Sequence, residues 1–163
     1  MNYPHLAAHL FNAPLLIHPG KLNAIVAGLS GRFDIHLAPS AYATPAGTSE
    51  RGGYRLLDNG IALLDVFGVL AHRGGISANS AYIQGYDTLA RTLQSALQDP
   101  NVKGIVLNID SPGGEVAGAF QLAGEIYAAR GQKPIAAVAS DMACSAAYLI
   151  ASAADTISLT ATG

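Results

Sequence analysis

An α/β domain built on a largely parallel sheet is what this sequence predicts, and three observations predict it. Strand-like and helix-like stretches alternate from Tyr54 to the end of the chain at the spacing of strand–helix–strand units. Half of the 163 residues are apolar, enough for one compact core. Eighteen glycines and many alanines, with no tryptophan, suit close packing of helices on a sheet and sharp turns between them.

The elements follow in order. Residues 1–52 read as an amino-terminal arm and flexible linker, because Pro4, Pro14 and Pro19 interrupt the first stretch and "LAPSAYATPAGTSERGG" is a run of small, proline and glycine residues. Residues 53–163 read as the folded domain. "GIALLDVFGVL" is a strand by its β-branched and large apolar content, and "AHRGGISANS" is a glycine-bearing loop. In "AYIQGYDTLARTLQSALQD", Ile83, Tyr86, Leu89, Leu93 and Leu97 recur on one helical face, and Asp99-Pro100 ends the helix. "KGIVLNI" is a short strand buried on both faces. "GEVAGAFQLAGEIYAARG" predicts a helix with Glu115 in its first turn and Arg130-Gly131 at its end. "KPIAAVAS" is a strand, "SAAYLIASAA" a helix and "DTISLT" the start of another strand.

Two loops at strand ends carry the chemistry. In "NIDSPGGEV" the strand stops at Asp110, Ser111 and Pro112 make a turn, and Gly113-Gly114 opens into a helix. A diglycine adopts positive φ freely and exposes backbone N–H groups with no Cβ in the way, so it could cradle an anion. The plainer reading is a strand-to-helix turn capped by Ser111 or Asp110. A phosphate loop is excluded, because its spacing and its Lys-Ser or Lys-Thr are missing. In "SDMACSAAY" the turn "DMAC" leads to Ser145 at the head of an apolar helix, where the positive end of the helix favours a developing alkoxide. A serine there also serves as an ordinary N-cap. Cys144, the single cysteine, reads as a small packing residue. Taken together, the loops offer what acyl transfer needs: Ser145 as nucleophile, with backbone N–H groups from Gly113 or Gly114 and from Ala146 around the tetrahedral oxygen.

Those two loops, "NIDSPGGEVAGAFQLAGEI" and "PIAAVASDMACSAAYLIASAADTISLT", resemble the signal peptide peptidase A family of serine peptidases, within the Clp-protease and crotonase-like superfamily. "DMACSAAYLIASAA" and "AAHLFNAPLLIHPGK" look more specifically like the head-maturation protease (protein C type) of tailed phages and prophages. The resemblance implies a spiral of ββα units, assembly into oligomers, and serine-lysine endopeptidase activity on capsid or scaffold proteins, in the host bacterial cytoplasm or the phage prohead. By resemblance, Ser145 in "CSAAY" is the nucleophile, although cellular members often have Ser-Gly-Gly where this chain has Ser-Ala-Ala. Gly113, Gly114 and Ala146 then form the oxyanion hole. The family's lysine base would fall beyond Gly163, so the expectation is the amino-terminal part of a longer peptidase, incomplete at its carboxyl end and inactive or nearly so alone.

No residue in the chain is an obvious substitute for that base. Lys21, Lys103 and Lys133 all precede Ser145 and read as solvated arm, turn and strand-start residues. His5, His9, His18 and His36 lie in the arm or linker, and only His72, in the loop after the first strand, is placed to approach the site. Asp110 and Asp141 flank the loops with turn or cap roles available, and Asp87, Asp99 and Glu125 read as solvated helix faces. No cofactor or metal is expected, since the histidines and the lone cysteine lack ligand spacing. A net charge of −2 without a basic cluster argues against nucleic acid. No stretch is long enough to span a bilayer. Two rival functions remain: a crotonase-type acyl-CoA enzyme, which would not need Ser145, and a noncatalytic capsid assembly module.

Overall fold

The computed structural model describes residues 15–17, 50–76 and 82–161. Their elements are β1 (Leu15–Ile17), β2 (Glu50–Arg51), β3 (Tyr54–Leu56), β4 (Ile61–Ala71), β5 (Gly75–Ile76), β6 (Tyr82–Gly85), α1 (Tyr86–Gln98), β7 (Gly104–Glu115), α2 (Ala119–Ala128), β8 (Ile135–Ala143), α3 (Ala146–Ser152) and β9 (Thr156–Leu159). The expected α/β class is the one observed. Most of the predicted arm and linker, with Lys21, His5, His9, His18 and His36, lies outside the described residues.

The sheet runs in the order β2-β3-β4-β7-β8-β9. Its centre is parallel: β4 pairs with β7, β7 with β8 and β8 with β9. Parallel neighbours need crossover connections, which α1, α2 and α3 supply. The hairpin from β3 to β4 is antiparallel and turns at "LDNG", where Gly60 at φ 85 donates its N–H to the Leu57 carbonyl at 2.9 Å.

Along β4, β7 and β8 every second residue points into the core. Ala62, Leu64 and Val66 alternate with less buried residues, as do Ile105, Leu107 and Ile109, and Ile135 and Ala137. From the helices, Leu89 and Leu93 of α1, Leu122 and Ile126 of α2, and Ile150 of α3 meet them. Burying a side chain of this size is worth about 1.5–3 kcal/mol, so this layer holds the helices on the sheet. Alanine lets α3 sit close: Ala146, Ala147 and Ala151 are almost wholly buried. Its far end is held by Arg130, whose guanidinium donates to the carbonyls of Ala153 (2.8 Å), Ser152 (3.1 Å) and Ala154, groups left unpaired at a helix end.

Four boundaries differ from the sequence reading. Ile83 belongs to the short strand β6, which pairs with β4, and the helix begins at Tyr86. The loop "AHRGGISANS" contains β5, paired with β6. β7 does not stop at Asp110 but continues through Ser-Pro-Gly-Gly to Glu115, so Glu115 closes a strand and α2 starts only at Ala119. Likewise β8 extends through "DMA" to Ala143. Proline and diglycine read as breakers, but here they occupy a bulge: Asp110 pairs with Phe67 and Gly113 with Val69, so β7 carries one residue more than β4 over the same stretch.

Candidate active site

The carboxyl ends of β7 and β8 lie side by side, the place where open α/β sheets form ligand crevices. Their ladder reaches Ser111 opposite Ala143, and the Cys144 N–H then donates to the Ser111 carbonyl at 3.1 Å. Gly113 and Ser145 each stand two residues past that last rung. The two loops singled out in the sequence therefore converge.

Ser145 occupies an uncommon backbone state. Its φ is 57° and its ψ −119°, and it is the one non-glycine residue at positive φ among those described. The turn around it closes by the Ala147 N–H donating to the Cys144 carbonyl at 3.0 Å. Ser145 is thus the first central residue of a turn, with the dihedrals that this position takes in type II′, where glycine dominates. It precedes α3 as its N-cap residue, yet its side chain makes no capping hydrogen bond. The plain N-cap reading thus lacks the contact that defines it. Ala146 begins the helix, and the first N–H groups of a helix have no partner within it.

Both glycines opposite are demanded by geometry. Gly113 sits at φ 99. A Cβ on Gly114 would stand 1.7 Å from the Leu70 carbonyl oxygen. The Gly113 N–H donates to Ser111 Oγ at 3.1 Å, which commits that amide inside the turn. Ser111, expected only as a turn or capping residue, does more than cap. It is fully buried, and its Oγ also donates to the Gly68 carbonyl at 2.6 Å, filling the bulge and pinning the diglycine to β4. The only trace of that role in the sequence is a serine before Pro-Gly-Gly.

The remaining candidates are placed as follows. Cys144 is half-buried rather than packed in the core, and Asp141 is exposed where β8 bulges against β7. Asp110 is half-buried on β7. His72 is exposed at the end of β4; its backbone N–H donates to Glu115 Oε2 at 2.8 Å, and its ring lies against Gly118. Because β7 separates β4 from β8, His72 and Ser145 leave from strands that are not neighbours. Lys133 is not a solvated strand-start residue: its Nζ donates to the carbonyls of Ala96 (2.9 Å) and Asp99 (2.6 Å), closing the end of α1. Lys103 is exposed and covers Gly60. Asp99 is likewise no mere solvated face, since its carboxylate accepts from Tyr54 Oη at 2.6 Å and from the Asn101 N–H at 2.8 Å. Asp87 accepts from the Gly74 N–H at 3.2 Å, and this bond holds its carboxyl below the usual range. Glu125 accepts from Gln121 at 3.2 Å on the outer face of α2.

Over most of its length the chain is similar to two phage proteins. Head-tail preconnector protein GP5 of Enterobacteria phage P21 is 39% identical to it over 93% of this chain and 33% of its own length. Capsid assembly protease C of Escherichia phage lambda is 38% identical over 94% of this chain and 38% of its own length. Protease 4 of Salmonella typhi is 40% identical over 45% of this chain and 12% of its own. The chain thus spans about a third of the length of the two phage relatives. No family model matches. Among solved structures, an enoyl-CoA hydratase/isomerase family member aligns with a TM-score of 0.48 and 17% identity, over 72% of this chain and 49% of that one. No helix among the described residues is long and apolar enough to cross a membrane.

Proposed function

We propose that this chain carries the nucleophile and oxyanion hole of a serine endopeptidase of the serine-lysine type, acting on capsid or scaffold proteins during phage head maturation in the host cytoplasm or prohead. One observation carries the reading: Ser145 is held at φ 57 between strand and helix with its hydroxyl uncommitted to capping. A non-glycine residue in such a conformation costs about 1–3 kcal/mol, and such strain concentrates at functional sites. Glycine or a capping serine would serve the turn better.

On this reading the Ser145 hydroxyl attacks the substrate carbonyl carbon while a neutral lysine accepts its proton. The oxygen of the tetrahedral intermediate is held by the N–H groups of Gly114 and Ala146. Collapse breaks the C–N bond, the lysine returns the proton to the leaving amine, and water then hydrolyses the acyl-serine by the same route. The base must have its pKa lowered by burial to be neutral near pH 7. Among the described lysines, Lys133 is tied to α1 and Lys103 is exposed, so on this reading the base lies outside the described residues. The 163 residues alone then hydrolyse peptides slowly or not at all, because members of a catalytic unit act together.

The test is acylation of the full-length protein by a fluorophosphonate probe. Labelling should occur and vanish in Ser145→Ala. Labelling that persists in that variant, or an unlabelled protein that still cleaves its capsid partner, would sink the proposal.

A further inference from the structure

We propose that Leu15–Ile17 occupies, in its own chain, the edge of β7 on which an extended peptide substrate adds, so that the amino-terminal arm is a built-in competitor for the cleft. This rests on the peptidase reading and specifies how that site is regulated. A strand has two edges. At Gly113 and Gly114 one edge of β7 is taken by Val69 and Leu70 of β4. The other edge belongs to β8 only as far as Ser111, opposite Ala143, after which β8 leaves into the Ser145 turn. β1 pairs antiparallel with the same stretch: Leu15 with Glu115, Leu16 with Gly114 and Ile17 with Gly113. It therefore lies on the edge that β8 vacates, beside the turn that holds Ser145. Its direction carries the chain from Glu115 toward Gly113, so its carboxyl end arrives at the level of the proposed nucleophile.

Nothing in this pairing is peculiar to residues 15–17. Strand addition draws its affinity from main-chain hydrogen bonds, and two glycines on the receiving strand present no side chain to select among peptides. The edge suits any extended polypeptide that can lie antiparallel to Gly113–Glu115. A segment tethered in cis acts at an effective concentration in roughly the millimolar range, so it competes with a free peptide unless displaced.

The test uses the full-length protein with Ser145→Ala to prevent turnover, and a fluorescein-labelled peptide copying residues 12–20, NAPLLIHPG, in anisotropy titrations. Leu16→Pro removes an amide hydrogen and disfavours the paired strand. The expected result is binding about tenfold tighter in Leu16→Pro than in the parent. Deletion of residues 1–49 should give the same gain. Equal peptide affinity in the parent and both variants, or no binding by any of them, overturns the inference. Amide exchange at Gly114 and Glu115 should be faster in Leu16→Pro and slow again when peptide saturates it; unchanged exchange in the variant also overturns it. The two readings fail separately. Fluorophosphonate labelling indifferent to Ser145→Ala removes the peptidase while leaving the titrations to stand. Ser145-dependent labelling with equal peptide affinities removes only the competitor.

Discussion

Two parallel strands in this molecule hand over to helices at the same end of the sheet, and they do so in opposite ways. After β7 the chain needs positive φ at the residue before α2 and the sequence supplies Gly118, at φ 88. After β8 it needs positive φ before α3 and the sequence keeps Ser145, at φ 57. The first turn is also tied down: Tyr86 Oη donates to the Glu115 carbonyl at 2.7 Å, and His72 rests on Gly118. The second turn holds its serine without a side-chain cap. Backbone economy alone explains the first turn. On the proposed reading the second retains a hydroxyl at an energetic cost, and the strain there serves chemistry rather than folding.

The diglycine gives the largest expected effect and sets the scale for the rest. In Gly114→Ala the new methyl would fall 1.7 Å from the Leu70 carbonyl oxygen, a backbone atom in the adjoining strand. Either β7 separates from β4 at this point or the variant does not fold, so the loss should exceed about 4 kcal/mol in urea unfolding. A loss below 1 kcal/mol would mean that the two strands are not in contact there.

That contact was out of reach of the sequence, although the motif containing it was not. The order of the longer elements, β4, α1, β7, α2, β8, α3 and β9, could be read from periodicity, because each one's apolar pattern is local, whereas the short strands β5 and β6 could not. Nor could the ends of β7 and β8. Pro112 and Gly113-Gly114 are turn formers in isolation, and only pairing with Val69 and Leu70 makes them part of a strand. The same holds for Glu115, which reads as a first-turn helix residue until Tyr86 and His72 are seen to bind it. Ser145 was legible as a residue before a helix but not as a strained one, since φ is set by the turn that Cys144 and Ala147 close.

Gly118→Ala should show the next largest loss. Its Cβ would meet His72 Nδ1 at 2.7 Å and Tyr86 Cδ2 at 3.0 Å, in addition to the cost of φ 88. About 2 kcal/mol is expected, less than for Gly114 because the His72 side chain is exposed and can move away. Ser145→Gly should do the reverse. It relieves about 1–3 kcal/mol of backbone strain and gives back about 0.5–1 kcal/mol through the freer unfolded chain, for a net gain near 1 kcal/mol. In the full-length protein the same variant should lose fluorophosphonate labelling. A protein stabilised and silenced by one substitution shows serine kept for function. A Ser145→Gly variant less stable than its parent would remove the argument from strain.

Tyr86 supplies the smallest effect and tests the tethering of the first turn. Its hydroxyl is buried and lies near the Glu115 carboxylate, so burial first and that charge second push its pKa well above the ordinary tyrosine value. The sign follows from linkage. A group whose folded pKa is raised keeps its full contribution below the unfolded value, about pH 10 for tyrosine, and loses it as the pH climbs toward the folded one. Tyr86→Phe removes the hydrogen bond to Glu115 and should cost about 1 kcal/mol near neutral pH. Above about pH 10 the parent also has to resist ionisation of a buried phenol, which the variant lacks, so the gap between them should narrow. Comparing parent with variant cancels the other tyrosines. A gap that stays constant to pH 11 would place the hydroxyl in solvent and leave the Glu115–Gly118 turn without its tether, erasing the contrast with the turn at Ser145.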